Sequence, residues 1–322
     1  MTERIYNLYK KHGVFMITTV MMLLLIVTPA VAEDILTNWT QATNSTEFSP
    51  RYFHTSVVYD DKMWVIAGDD GSYKNDVWYS TNGVNWTQAT NSTAFSPRFI
   101  PESVVYDDKM WVIAGWDDVS NKNDVWYSTD GANWTLANDS AAFSPRRGAA
   151  LIVYDDKMWV IGGREDNGHV NDVWYSTDGE IWTLANDSAA FSARNFQASV
   201  VYDGKMWLIG GSSPQILNDV WYSTDGEIWT LANDSAAFSP RRDSTCIVSD
   251  ERMWIIGGAD RQNNFNDVWY STDGEIWTQA NVSAAFSPRR SFSSVIYDGS
   301  VWIIGGLDND SMKNDVWYSN VV

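Results

Sequence analysis

The sequence predicts an all-β protein built from six copies of one four-stranded antiparallel unit, and three observations carry that prediction. The hexapeptide Asn-Asp-Val-Trp-Tyr-Ser begins at Asn75, Asn123, Asn171, Asn218, Asn266 and Asn314, at spacings of 48, 48, 47, 48 and 48 residues. Four short apolar runs separated by turn residues recur inside each period. Tryptophan accounts for 19 of the 322 residues, and eighteen of these fall at three fixed places in the period.

The third copy illustrates the unit. Strand a is predicted over Ala149 to Tyr154, strand b over Met158 to Ile161 before Gly162-Gly163, strand c over Asp172 to Ser176 and strand d over Ile181 to Leu184. Asp155-Asp156 and Thr177-Asp178-Gly179 suit tight hairpins, because Asp bonds its own backbone and Gly accepts a left-handed conformation. The first and last copies are incomplete in complementary ways. The pattern opens on a lone d strand at Asn38-Trp39-Thr40 and stops at Ser319 after a c strand. One unit completed by both ends closes a ring, which needs no polar caps.

These features resemble kelch repeats, as in the central domain of galactose oxidase. The resemblance rests on the Arg opening strand a, the Gly-Gly after strand b, Asn-Asp-Val-Trp before strand c and the Trp in strand d, over residues 38 to 319. It implies a six-bladed β-propeller of four-stranded antiparallel blades, with the N-terminal d strand completing the last blade. Two departures are visible: Ala67-Gly68 and Ala114-Gly115 replace Gly-Gly, and Ser249 replaces the Tyr that ends strand a. Ser176 to Trp182 also resembles the Asp-box hairpin of sialidases, shortened because Gly follows Asp directly and Trp comes one residue early.

Residues 1–32 read as an export signal, with basic Arg4, Lys10 and Lys11, an apolar run from Val14 to Val27 and the small-x-small ending Ala30-Val31-Ala32. An uncleaved anchor is the rival, since the apolar stretch approaches the roughly 20 residues that span a bilayer. The expected mature chain is residues 33–322, a monomeric propeller that is secreted, periplasmic or at the cell surface, with no membrane insertion after cleavage. It carries 19 basic and 40 acidic residues, a net charge of −21. That charge excludes nucleic acid as a partner. Cys246 is the only cysteine, and small or aliphatic residues stand at its place in the other copies, so no disulfide forms and a packing role is expected.

Residues identical in every copy belong to the scaffold. The three recurring tryptophans are therefore assigned to packing, and 19 of the 40 mature acids are copied turn or Asn-Asp chemistry. Variation concentrates in the b to c connections, which share one face of the ring with the d to a connections. Variable loops on a uniform scaffold point to a binding face. Trp116, the one tryptophan outside the pattern, lies there and is a candidate ligand contact, with local loop packing as the alternative. Strand a opens on the same face with Arg51, Arg98, Arg146, Arg194, Arg241 and Arg289, three of them doubled by Arg147, Arg242 and Arg290. The six arginines are candidates for an anion site at the channel mouth. The favoured alternative pairs each with the aspartate of its own Asn-Asp-Val-Trp, a brace that consumes the charge.

The leading functional reading is an exported, non-catalytic propeller that binds a glycan or an extracellular protein through this face. The second is a carbohydrate-active enzyme, sialidase-like or similar to six-bladed kelch proteins that isomerise sialic acid. Tyr52, Glu102 and Asp243 are non-repeated residues near the starts of their strands, yet no motif ties them together. The third is a structural envelope protein. A copper centre like that of galactose oxidase is a poor match, with only His54, His169 and one cysteine available in the mature chain. No cofactor and no metal are expected. Acidic loops such as Asp69-Asp70, Asp117-Asp118 and Asp308 to Asp310 lack EF-hand spacing and read as surface charge. Sequons at Asn44, Asn91, Asn138, Asn186, Asn233 and Asn281 place any glycans on the rim.

Overall fold

Apolar runs of alternating Val, Ile and Trp, punctuated by residues that accept positive φ, fold into β-strands, β1 to β24 in chain order. The computed structural model describes residues 35–321. The predicted export signal at 1–32 lies outside the described residues. Among those described, no helix is long and apolar enough to cross a membrane.

The strands form six antiparallel sheets of four, one per repeat, so the six-bladed propeller is observed. The third blade runs β10 (Ala150–Tyr154), β11 (Lys157–Glu165), β12 (Gly168–Ser176) and β13 (Thr183–Asn186). The strand boundaries differ from the sequence prediction in two ways. Strands b and c continue past the Gly-Gly pair as a two-stranded arm, with Arg164 opposite His169. The register shifts between Ile161 and Gly163, where both glycines have positive φ. Ala67 and Ala114 occupy the first of these places at φ 59° and 60°. Strand d begins two residues late because the turn is held open from within: Ser176 Oγ accepts Gly179 N–H at 2.8 Å, and Asp178 Oδ1 accepts the N–H groups of Glu180 and Ile181 at 2.8 Å each.

Both ends of the described chain meet in the sixth blade. β1 (Thr40–Thr43) pairs antiparallel with β24 (Met312–Asn320), placing Thr40 opposite Tyr318. Leu36, fully buried at φ 59°, stands where the other blades have their turn glycine. Its carbonyl accepts Trp39 Nε1–H at 3.0 Å, as Gly179 accepts Trp182 Nε1–H at 3.1 Å.

The core lies between blades. Trp159 of β11 packs with Ile161 and Val173 against Met206 and Leu208 of the next blade. Its ring lies on Gly226, where an added Cβ would come within 2.0 Å. Tyrosines ending strand a tie neighbours together: Tyr154 Oη–H donates to Gly204 O at 2.7 Å, and Tyr297 Oη–H to Asp61 O at 2.9 Å across the ring closure. Ser249 cannot span that distance, so blade five lacks this tie to blade six.

Candidate functional site at the channel mouth

The residue that opens strand a has the same structural job in every blade. Arg146 donates from Nη1 to Asp172 Oδ1 at 2.6 Å and from Nη2 to Asp172 Oδ2 at 2.8 Å, and again from Nη1 to Gly162 O at 2.9 Å. Trp174 Nε1–H completes the aspartate at 2.7 Å. Asn171 Nδ2 donates to Ala189 O and Phe191 O, which fixes the strand leading back to the next arginine. The Asn-Asp-Val-Trp motif is thus a node that holds strands a, b and c and the incoming chain. Arg51, Arg98, Arg194, Arg241 and Arg289 make the same bidentate pairs with Asp76, Asp124, Asp219, Asp267 and Asp315. All six are at most 1% exposed. The anion site expected of these six is therefore corrected: their donors are spent inside the blades, and the brace accounts for them.

The two positions that follow each brace are where the copies differ. The first carries Tyr52, Phe99, Arg147, Asn195, Arg242 and Arg290, and the second Phe53, Ile100, Gly148, Phe196, Asp243 and Ser291. Every residue in the second set has φ between 53° and 60°. Five backbone hydrogen bonds of 2.9 to 3.1 Å link them around the channel, from Ile100 through Phe53, Ser291, Asp243 and Phe196 to Gly148. Left-handed backbone costs a side-chain-bearing residue about 1–2 kcal/mol, and this collar holds five of them in it.

The collar gathers aromatic rings. Phe53 and Phe196, from opposite blades of the ring, stack at 5.5 Å and so span the mouth. Phe99 meets Phe53 at 5.8 Å and stacks on Tyr73 at 4.8 Å. Trp116 is half-buried in the interrupted arm of blade two, and the Arg147 guanidinium lies 4.7 Å over its ring. Arg147 also donates to Asn121 Oδ1 at 2.8 Å, and Arg290 to Asn264 Oδ1 at 2.9 Å. Arg242 lies 5.9 Å over Phe196 and reaches Asp243 at 3.8 Å. These second arginines are half-buried; Arg147 and Arg290 hydrogen-bond neutral amides, while Arg242 shares its charge with Asp243.

Below the collar the channel is a polar cavity of about 230 Å³. Its walls are asymmetric: Ala149, Ala150 and Leu151 make one apolar side, while His54, Glu102, Gln197 and Asp243 make the rest polar. Glu102 and Asp243 come from opposite blades. Burial, then repulsion by Asp243, pushes the Glu102 carboxyl up to about 8. Burial also pushes Asp243 up to about 6, against the pull of Arg242 and Arg290. Burial, then Arg51, drives His54 down to about 3, so its imidazole is neutral. Buried atoms with no hydrogen-bond partner among the described residues concentrate here, including Asp243 Oδ2, Gln197 Oε1, Ser244 Oγ and Ser291 Oγ. Buried polar groups are normally satisfied, so this cavity suits water or a polar ligand.

The acidic loops are internally satisfied. Asp117 pairs with Lys122 at 2.6 Å and Asp308 with Lys313 at 2.7 Å, and each accepts two backbone N–H groups. Among the described residues no three His, Cys, Asp or Glu side chains converge on a metal position. Cys246 is a free thiol pushed up to about 12 by burial. The sequon residues Asn138, Asn186 and Asn233 each donate Nδ2–H to the next blade at 2.6 Å, which makes them interblade ties.

Sequence reasoning found Trp116 and named Glu102 and Asp243 without joining them. It passed over Phe53, Tyr73, Phe99 and Phe196. The available signal for Phe53, Phe99 and Phe196 was positional: the two residues after an invariant arginine vary among the copies.

The comparisons agree with this architecture. A kelch motif model matches residues 50–79, and a DUF6242 beta propeller domain model matches residues 100–224. No curated protein matches the chain. A solved structure titled "Structure of YjhT" superposes with a TM-score of 0.73 at 16% identity, covering 86% of this chain and 96% of that one. At that identity the likeness shows the fold alone.

Proposed function

We propose that this kelch-repeat β-propeller is an exported binding protein that holds an acidic glycan on its b to c loop face, at the channel mouth. The observation that carries the reading is the Arg147 guanidinium over Trp116, 4.7 Å from the ring centroid and in no salt bridge among the described residues, with Asp166 acting on it only at longer range. A sugar carboxylate matches a guanidinium fork, and sugar ring faces pack on aromatic rings as apolar surface. Arg290 and Arg242, the latter 3.8 Å from Asp243, supply two further cations at the same rim, in a chain whose net charge is −19. Local positive charge in an acidic protein selects for anionic ligands and repels cationic ones.

The test is a glycan array carrying sialylated and uronate-bearing sugars beside neutral counterparts, probed with the full chain. Retention of acidic members above neutral ones supports the reading. Equal or absent retention rejects it and leaves the structural envelope role.

A second reading has its own observation. Glu102 and Asp243 face one cavity with carboxyls pushed to about 8 and about 6, and an acid and a base with separated proton affinities are the parts of general acid–base chemistry. A sugar inserted past the collar would make the protein a carbohydrate-active enzyme, sialidase-like or acting as a sialic acid mutarotase. Turnover assayed beside the array distinguishes the two: product formation that Glu102→Gln abolishes while binding persists favours the enzyme.

A further inference from the structure

The opposite face of the ring carries a second repeated arrangement, and one blade breaks it. In five blades the residue opening strand b is a cation lying over an aromatic pair. Lys62 stands 5.9 Å from the Trp64 ring and 5.8 Å from Tyr79, and Lys157 stands 5.9 Å from Trp159 and 5.7 Å from Tyr175. Lys109, Lys205 and Arg252 repeat the arrangement. Each cation also pairs with the turn aspartate two residues before it, from 2.5 Å for Lys62 with Asp60 to 3.6 Å for Arg252 with Asp250.

In blade six the cation is replaced by Ser300, whose hydroxyl turns to Asn320 Oδ1 at 3.0 Å. The rest of the arrangement is intact. Trp302 and Tyr318 still pair, with ring centroids 5.0 Å apart, and Asp298 still occupies the turn. No cation among the described residues stands over them. Trp302 is 8% exposed, against 1–3% for its five equivalents. A cavity of about 540 Å³ opens there, lined by Trp302, Tyr318, Asp298, Ser300, Asn82 and Thr40. In this blade β24 and β1 come from the two ends of the described chain, and no turn joins them.

We propose that the sixth blade binds an alkylammonium group, as carried by a lysine side chain, over the Trp302–Tyr318 pair and beside Asp298. The chain itself displays the bound state five times, four of them with lysine. Aromatic faces attract such cations through their quadrupole, and a nearby carboxylate supplies the counter-charge. Asn82 of blade one stands where blades two to five have aspartate in this turn, so Asp298 is the carboxylate that lines the cavity. The site is independent of the channel mouth and survives if the glycan reading fails.

The experiment titrates n-butylammonium chloride and N-acetyl-lysine amide into the full chain and follows the tryptophan indole N–H signals by NMR, with Trp302 assigned from a Trp302→Phe sample. A saturable shift at Trp302, small at the other five strand b tryptophans, is expected. Ser300→Lys installs the side chain found in four other blades, so it folds, and it lowers the affinity for both probes at least tenfold by filling the site. Asp298→Asn weakens both several-fold. N-acetyl-norleucine amide, the uncharged match, leaves Trp302 unmoved. An unmoved Trp302 in the wild type, an equal response in Ser300→Lys, or an equal response to the norleucine control overturns the proposal.

Discussion

Arg146 grips Asp172 through two hydrogen bonds of 2.6 and 2.8 Å while itself fully buried, and the same contact recurs in each blade. The pair does not bind anything; it fixes the start of strand a against strands b and c. Removing one partner strands a buried charge, which costs about 3–5 kcal/mol. Asp219→Asn, which leaves Arg194 with no second carboxylate such as Glu165 offers Arg146, is accordingly expected to lower the melting temperature by about 6–10 °C at roughly 2 °C per kcal/mol. Thermal unfolding followed by circular dichroism checks it.

Ring closure makes the N-terminal strand structural. Trp39 is 7% exposed and meets Phe286 edge-on at 5.2 Å, and Leu36 sits in the same core with Trp254. Trp39→Ala is expected to cost about 3–5 kcal/mol. Deleting Leu36 to Gln41 removes most of the contact to β24 and strongly lowers the melting temperature. An unchanged melt in either variant argues against closure by both ends.

The collar stores strain at a position where glycine fits better. Ser291 has φ 55°, is buried, and its hydroxyl has no hydrogen-bond partner among the described residues. Glycine relieves the left-handed penalty of about 1–2 kcal/mol but loosens the unfolded chain by about 0.4–1 kcal/mol. Ser291→Gly is expected to stabilise by about 0.5–1 kcal/mol, read as a higher urea midpoint with an unchanged slope.

The repeats explain why so much of the fold was legible in the sequence and why the site was not. Six copies of Arg and Asn-Asp-Val-Trp and four of Thr-Asp-Gly, compared with one another, separate scaffold from variation, and the Arg146–Asp172 brace follows from matched counts of opposite charge. Glu102 and Asp243 meet only because the ring brings blades two and five face to face across the channel, a relation that no local spacing encodes. The Phe53–Phe196 stack has the same origin. Even the length of the b to c arms escaped, because Gly-Gly reads as an end when it is a bulge through which pairing continues.

Titration of the channel gives stability a definite pH dependence. Glu102 has a folded value of about 8 against an ordinary 4.5, so the folded chain holds a proton that the unfolded chain has released. Its contribution is complete below about 4.5 and disappears as pH rises through about 8. Asp243, raised from 3.8 to about 6, adds the same sign at lower pH, while His54, lowered from 6.5 to about 3, opposes it there. Between pH 6.5 and 8 Glu102 dominates the three, and stability is expected to fall with rising pH in the wild type but not in Glu102→Gln. Melting temperatures across that window decide it.

The central claim is that the second arginines and the rim aromatics, not the six braces, form a site for acidic sugars. Calorimetric titration of 3′-sialyllactose into the wild type and into Arg147→Ala tests it most directly, because the backbone pairing of residue 147 with Arg164 survives the change and every brace stays intact. The expected result is saturable binding to the wild type and at least tenfold weaker binding to the variant at an unchanged melting temperature. No binding to the wild type, or equal affinity in both, would contradict it.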